Sequence, residues 1–170
     1  MNRNFSLIFV LLAILSIVNA IPHKRATTFQ PCTDGNPLDV TISPDPLVPG
    51  GSAEFSVSGK VTPPAMPGSA ISIAFLDSAA GAALATPFVL DLCKINGLTC
   101  PLSEFSAHGP VNVPANLPTS YTIVVAFFDS AGTKINCELA YVGTAVSAAR
   151  PAPTKFDLTG SKPSSSLWTK

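Results

Sequence analysis

Proline and glycine cut this chain into short pieces. Seventeen prolines and eleven glycines are spread along 170 residues. Proline has no backbone N–H and glycine weakens helix interiors, so long helices and coiled coils are excluded. Between the interruptions, apolar and polar residues alternate with the period of a strand. Seven strands are predicted. The first covers residues 38–43 and ends at Pro44-Asp45-Pro46. The second covers 53–61, where Phe55 and Val57 alternate with Glu54, Ser56 and Ser58. Pro63, Pro64 and Pro67 then break the chain before the third, 70–76, whose Ile71, Ile73 and Phe75 share a face. The fourth and fifth cover 86–92 and 105–113. The sixth, 121–128, puts Tyr121, Ile123, Val125 and Phe127 on one face; Val124, Ala126 and Phe128 show that part of the other is covered too. Asp129, Ser130, Ala131 and Gly132 turn the chain into the seventh, 134–142, where Ile135, Cys137, Leu139 and Tyr141 alternate. The small residues of 79–85 read as a loop.

Seven short strands at this spacing predict an all-β, antiparallel two-sheet sandwich, immunoglobulin-like in the broad sense. An ordinary immunoglobulin domain is disfavoured, because the one tryptophan, Trp168, lies outside the strands.

The ends have a different character. Residues 1–20 read as a secretory signal: Arg3 supplies the positive start, 5–18 are almost wholly apolar, and Val18-Asn19-Ala20 is a small-residue cleavage pattern. The apolar run is shorter than the roughly 20 residues of a spanning helix. Residues 21–28 form a short propeptide or linker, in which Lys24-Arg25 is either a processing site or a solvated charge cluster. The domain covers 29–146. Residues 147–170 form a Pro- and Ser-rich tail whose composition predicts disorder. Charge divides the same way. The domain has three lysines against nine acids, a net charge of −6, and the tail has four basic residues against Asp157. Over the whole chain ten basic residues balance ten acidic ones, which excludes a polybasic nucleic-acid binder. No glycosylation sequon follows Asn4, which itself lies in the signal.

Export sets the redox context for Cys32, Cys93, Cys100 and Cys137, so two disulfides are expected. Three pairings are open. Cys93 and Cys100 bracket a short loop whose Asn96-Gly97 favours a tight turn, which makes them the local bridge and leaves Cys32 with Cys137 by elimination. A zinc site is the rival use of these thiols, but the seven-residue spacing fits no usual finger and His108 is the single histidine of the domain.

Catalytic chemistry is not legible. A nucleophile needs a partnering base, and His108, beside Gly109-Pro110, reads as a surface residue. There is no G-x-S-x-G, H-E-x-x-H or P-loop, and the acids are spread over turns and strand ends. No enzyme, metal or cofactor is expected.

Several residues in order carry a resemblance. Phe29-Gln-Pro-Cys32 is followed by Ile42-Ser43-Pro44-Asp45-Pro46, Pro49-Gly50-Gly51 and Gly59. Then come Asp91-Leu92-Cys93, Thr99-Cys100-Pro101, Leu117-Pro118 with Tyr121, and Asp129, Gly132, Ile135 and Cys137. In this order the chain resembles the ML lipid-recognition family, most nearly its fungal phosphatidylglycerol/phosphatidylinositol transfer branch. More distant relatives are the lysosomal sterol carrier defective in Niemann–Pick type C disease and the mite group 2 allergens. The resemblance implies the same two bridges and an apolar cavity between the sheets. The sterol carriers have a third bridge in the loop after the first strand; here residues 44–51 contain no cysteine, which fits the phospholipid branch better.

Periodicity alone would make the inward residues an ordinary core. The resemblance implies that they line a lipid site: Phe55, Val57, Ile71, Ile73, Phe75, Phe88, Leu90, Tyr121, Ile123, Val125, Phe127 and Leu139. Phe88, within Thr86-Pro87-Phe88, matches a Pro-Phe pair at the rim of the sterol carriers' pocket. The expected protein is a monomeric carrier of phospholipid between membranes, touching them transiently, secreted or resident in a vacuolar or lysosomal lumen. The alternatives are a sterol carrier, a lipid-binding surface or signalling module, and a structural sandwich with a filled core.

Overall fold

The computed structural model describes residues 27–32, 36–78 and 81–143. The expected signal peptide, most of the propeptide and the tail from 147 lie outside the described residues. Among the described residues, eight strands form two antiparallel sheets. They are β1 (Gln30–Pro31), β2 (Leu38–Ser43), β3 (Ser52–Ala65), β4 (Ala70–Asp77), β5 (Phe88–Asp91), β6 (Leu102–Asn112), β7 (Tyr121–Phe128) and β8 (Lys134–Val142). One sheet has the order β1-β8-β7-β4-β5 and the other β2-β3-β6. The all-β two-sheet expectation holds, and three strands keep their predicted bounds.

Four expectations need correction. The two-residue β1 was not foreseen; it pairs with β8 through Gln30↔Leu139 and Pro31↔Glu138. The second strand does not stop at residue 61 but continues through Pro63 and Pro64 to Ala65. Prolines lack the N–H for a regular ladder, and they sit where the β3–β6 register is interrupted, between Lys60↔Glu104 and Ala65↔Leu102. The fourth strand is shorter than 86–92, because Leu92–Lys94 turns into a short 3₁₀ segment capped by the Asp91 side chain, which accepts from the Cys93 N–H at 3.1 Å. The fifth begins earlier, at Leu102.

The inner faces build the main core. Phe55, Phe127, Ile71, Ile73, Leu90 and Ile123 are among its largest fully buried side chains. Each such side chain contributes about 1.5–3 kcal/mol on leaving water. A second cluster lies on the other face of the five-stranded sheet: Ala74, Leu76, Val124, Ala126, Phe128, Cys137 and Leu139. β7 is therefore buried at every position, as its run of aromatic and β-branched residues requires. Its turn into β8 is held by Asp129, whose carboxylate accepts from the Ala131 and Thr133 N–H groups at 2.9 and 2.8 Å. Gly132 completes it at φ +80°, a conformation that costs glycine little.

Both expected bridges are present. Cys32–Cys137 spans 105 residues with Cα atoms 5.3 Å apart. Cys93–Cys100 closes the short loop after β5, with Cα atoms 5.6 Å apart.

Candidate functional site: the open side of the sandwich

Strand order gives the sandwich two unlike sides. On one, β8 and β1 stand against β2. On the other, β5 and β4 stand against β6. The second side contains a cavity of about 250 Å³. Ile73 and Phe75 line it from β4, Phe88 and Val89 from β5, and Val111 and Asn112 from β6, with Ala85, Thr86 and Pro87 at its rim. It lies between the sheets, since Ile73, Phe75 and Val111 all belong to the main core.

Eleven of the twelve expected lining residues lie together on this core. Phe55, Val57, Ile71, Ile73, Phe75, Leu90, Tyr121, Ile123, Val125 and Phe127 are buried in it, and Phe88 packs against it half-buried. Ile73, Phe75 and Phe88 reach the cavity itself. Leu139 is the exception and is corrected here: it belongs to the outer cluster, opposite Val124. The reason is a bulge. Phe127 pairs with Asn136 and Phe128 with Lys134, so Ile135 has no partner and the parity of β8 changes after it. The inner face of β8 consequently presents Asn136, Glu138 and Ala140.

Asn136 and Glu138 make the closed side polar. Both are buried, at 1% and 2% exposure. The Asn136 amide donates to the Asn36 and Lys60 carbonyls, and the Glu138 carboxylate accepts from the Leu38 N–H at 3.0 Å. Burial pushes the Glu138 carboxyl above its ordinary value of 4.5, while the Leu38 N–H opposes the shift. At the end of the sandwich that carries the cavity rim, burial pushes the Tyr121 phenol above 10.0, and the charge of Asp45 adds to the effect.

A larger groove of about 1050 Å³ lies at the other end, beside the Cys93–Cys100 loop. Asp39, Lys60 and Glu104 line it with Ser58, Ser106, Thr99 and Asn36, and its apolar members are chiefly Leu98, Leu102 and Phe105. It contains none of the twelve expected residues, and Asp39, Lys60 and Glu104 place charges on its wall where the smaller cavity has none. The smaller cavity is therefore the candidate site. Among the described residues, no group of three metal-ligating side chains comes together.

The sequence profile of the ML domain matches residues 26–142, more than half of the chain. The protein belongs to the ML-domain family. Among solved structures, a Niemann-Pick type C2 protein from Japanese carpenter ant superposes with a TM-score of 0.53 at 20% identity, over 68% of this chain and 97% of its own. Chicken MD-1 complexed with lipid IVa aligns over 70% of this chain and 99% of its own, at 12% identity and a TM-score of 0.40. No curated protein matches the sequence. The ant structure supports the fold of this ML domain.

Sequence reasoning missed the contribution of β6 to the cavity. Phe105, Ala107, Gly109 and Val111 are its buried positions, an unbroken period of two that Val113 continues just past its end. Ala107 and Gly109 are too small to register as an apolar stripe, although Gly109 stands directly opposite Phe55 and Ala107 opposite Val57. Large residues on β3 facing small ones on β6 were the available signal.

Proposed function

We propose that this ML domain is a lipid carrier that takes an acyl chain or sterol body between its sheets from the β5/β6 side. The observation that supports this reading is the inter-sheet cavity on that side, walled by Ile73, Phe75 and Val111 of the core and rimmed by Thr86, Pro87 and Phe88. Its 250 Å³ falls just below the roughly 300–1,000 Å³ of typical ligand pockets. A lipid must therefore part the side chains around Ile73, Phe75 and Val111. The energetic logic is that of a shuttle. Each CH₂ removed from water is worth about 0.8 kcal/mol, so exposing a 16-carbon chain would cost on the order of 12 kcal/mol. Contact with Ile73, Phe75, Phe88 and Val111 offsets part of that cost while the chain is away from the bilayer. No covalent step is required, and the reading is of a carrier rather than an enzyme. The two disulfides fit an oxidising compartment, outside the cell or in a vacuolar or lysosomal lumen.

Phospholipid is the cargo that the uncrossed loop 44–51 favours. A sterol is the second reading, and one observation favours it: the described rim offers Thr86 and Asn112 as polar groups and no cation for an anionic head. Solvent extraction of the secreted protein followed by lipid mass spectrometry decides between them. Stoichiometric phospholipid supports the first reading and sterol the second. No lipid, with no uptake of a fluorescent fatty acid, returns the apolar faces to an ordinary filled core and ends the carrier reading.

A further inference from the structure

Two large apolar side chains stand exposed among the described residues: Val48 at 56% and Met66 at 48%. A lone exposed apolar residue is ordinary. Val48 is distinguished by where it stands and how it is held. It lies in the β2–β3 loop, at the end of the sandwich where β6 finishes at Asn112, a residue of the cavity lining. The loop is joined to that strand end: the Val113 N–H donates to the Gly51 carbonyl at 2.9 Å and the Gly50 N–H to the Pro114 carbonyl at 3.3 Å. The Gly51 N–H donates to the Val48 carbonyl at 3.0 Å, which fixes the turn, and Leu47 is buried beneath it. On the other flank, the Thr27 N–H and hydroxyl donate to the two carboxylate oxygens of Asp45. Val48 is thus a fixed apolar tip at the same end of the sandwich as the cavity mouth.

The composition of the loop suits an interface poor in water. Pro44, Pro46 and Pro49 remove three backbone donors that would otherwise need partners there. Charge narrows the surface it can meet. Asp45, Glu54 and Asp77 lie at this end, while the three described lysines, Lys60, Lys94 and Lys134, lie toward the other. An acidic end is not drawn to an anionic bilayer.

We infer that the Val48 loop docks the cavity mouth on a net-neutral, phosphatidylcholine-type bilayer. The purpose of docking rests on the carrier reading, but the contact itself is measured separately. Met66 supplies the control: it is similarly exposed and sits in the β3–β4 turn, at the opposite end. The full secreted chain is floated with phosphatidylcholine vesicles as wild type, Val48→Asp, Val48→Ser and Met66→Asp, and each form is also tested for uptake of a fluorescent fatty acid. Loss of the valine contact lowers vesicle partition by roughly tenfold in Val48→Asp, with Val48→Ser intermediate. Met66→Asp stays within about twofold of wild type, and all four forms take up fatty acid alike. The inference is overturned if wild type ignores phosphatidylcholine vesicles and binds only phosphatidylglycerol ones, if Val48→Asp floats like wild type, or if Met66→Asp loses as much as Val48→Asp. Val48-dependent flotation without fatty-acid uptake in any form would end the carrier reading and leave the docking surface standing.

Discussion

Where β8 faces β2, the sheets are joined by directional groups; where β5 and β4 face β6, they meet through apolar side chains around a cavity. On the first side, Asn136 donates to the Lys60 carbonyl of β3 and to the Asn36 carbonyl just before β2, and Glu138 accepts from the Leu38 N–H of β2, while Cys32–Cys137 ties the chain after β1 to β8 within their own sheet. On the second, Ile73, Phe75, Phe88 and Val111 surround 250 Å³ of space. A buried polar group that loses its partner costs about 1–3 kcal/mol. Apolar contact has no such directionality and gives way gradually. The two sides therefore resist separation unequally. Opening is expected along β5/β6, on the side where the cavity lies, with the bonded β8/β2 side holding.

The disulfides test the closed side with the largest expected effect. In the chain-entropy model, replacing Cys32 and Cys137 together by Ala costs about 4–5 kcal/mol, because the closed loop is long. Replacing Cys93 and Cys100 together costs roughly 2 kcal/mol, because theirs is short. Urea unfolding of both double variants measures the difference. Equal costs would mean that the long bridge adds nothing special to the β8 side.

The open side is tested by filling it. Val111→Phe places a ring into the cavity from β6. Lipid uptake is expected to fall by an order of magnitude, while stability changes by no more than about 1–3 kcal/mol. Val40→Phe makes the same change on β2, where Val40 packs in the core away from the cavity lining. It is expected to carry the overpacking cost and leave uptake unchanged. The comparison fails if both variants lose uptake equally.

The strands and bridges were legible because their signals are local. Strict alternation in β2, the β-branched and aromatic run of β7, the Asp129–Gly132 turn and the short Cys93–Cys100 loop each need only neighbouring residues. What was not legible depends on pairing between distant segments. Pro63 and Pro64 read as a break because a regular ladder needs donors, yet the irregular β3–β6 register accommodates them. Leu139 read as inward because Ile135, Cys137, Leu139 and Tyr141 alternate without a flaw. The bulge at Ile135 reverses that stripe, and both faces of this sheet are apolar enough to hide the reversal. The polar pair that closes one side was hidden by the same parity. Asn136 and Glu138 occupy the positions that alternation assigns to solvent.

Glu138 gives the smallest expected effect and the sharpest test of that polar side, because it predicts a slope rather than a loss. Its carboxyl is 2% exposed, and burial raises its pKa above 4.5. The folded protein therefore holds this proton more tightly than the unfolded chain. Below the ordinary value both states are protonated, and Glu138 imposes no penalty. As pH rises from there to the raised value, the unfolded chain releases its proton first, so stability is lost through that interval; the full penalty persists above it. Asp39 on β2 and Lys60 on β3 are the charges carried closest in sequence to the groups that bond this pair, and both side chains are exposed. Glu138→Gln keeps an oxygen to accept from Leu38 and removes the charge. Its stability relative to wild type should be level at acid pH, rise as pH passes from 4.5 through the raised value, and level off beyond it. Urea midpoints of the two proteins across that range measure the difference directly. A difference independent of pH would show that Glu138 is not coupled to folding, and its role in the closed side would reduce to packing. A rise with pH would mean that this side is tightest in an acidic lumen and loosens toward neutrality, while the apolar side is unaffected.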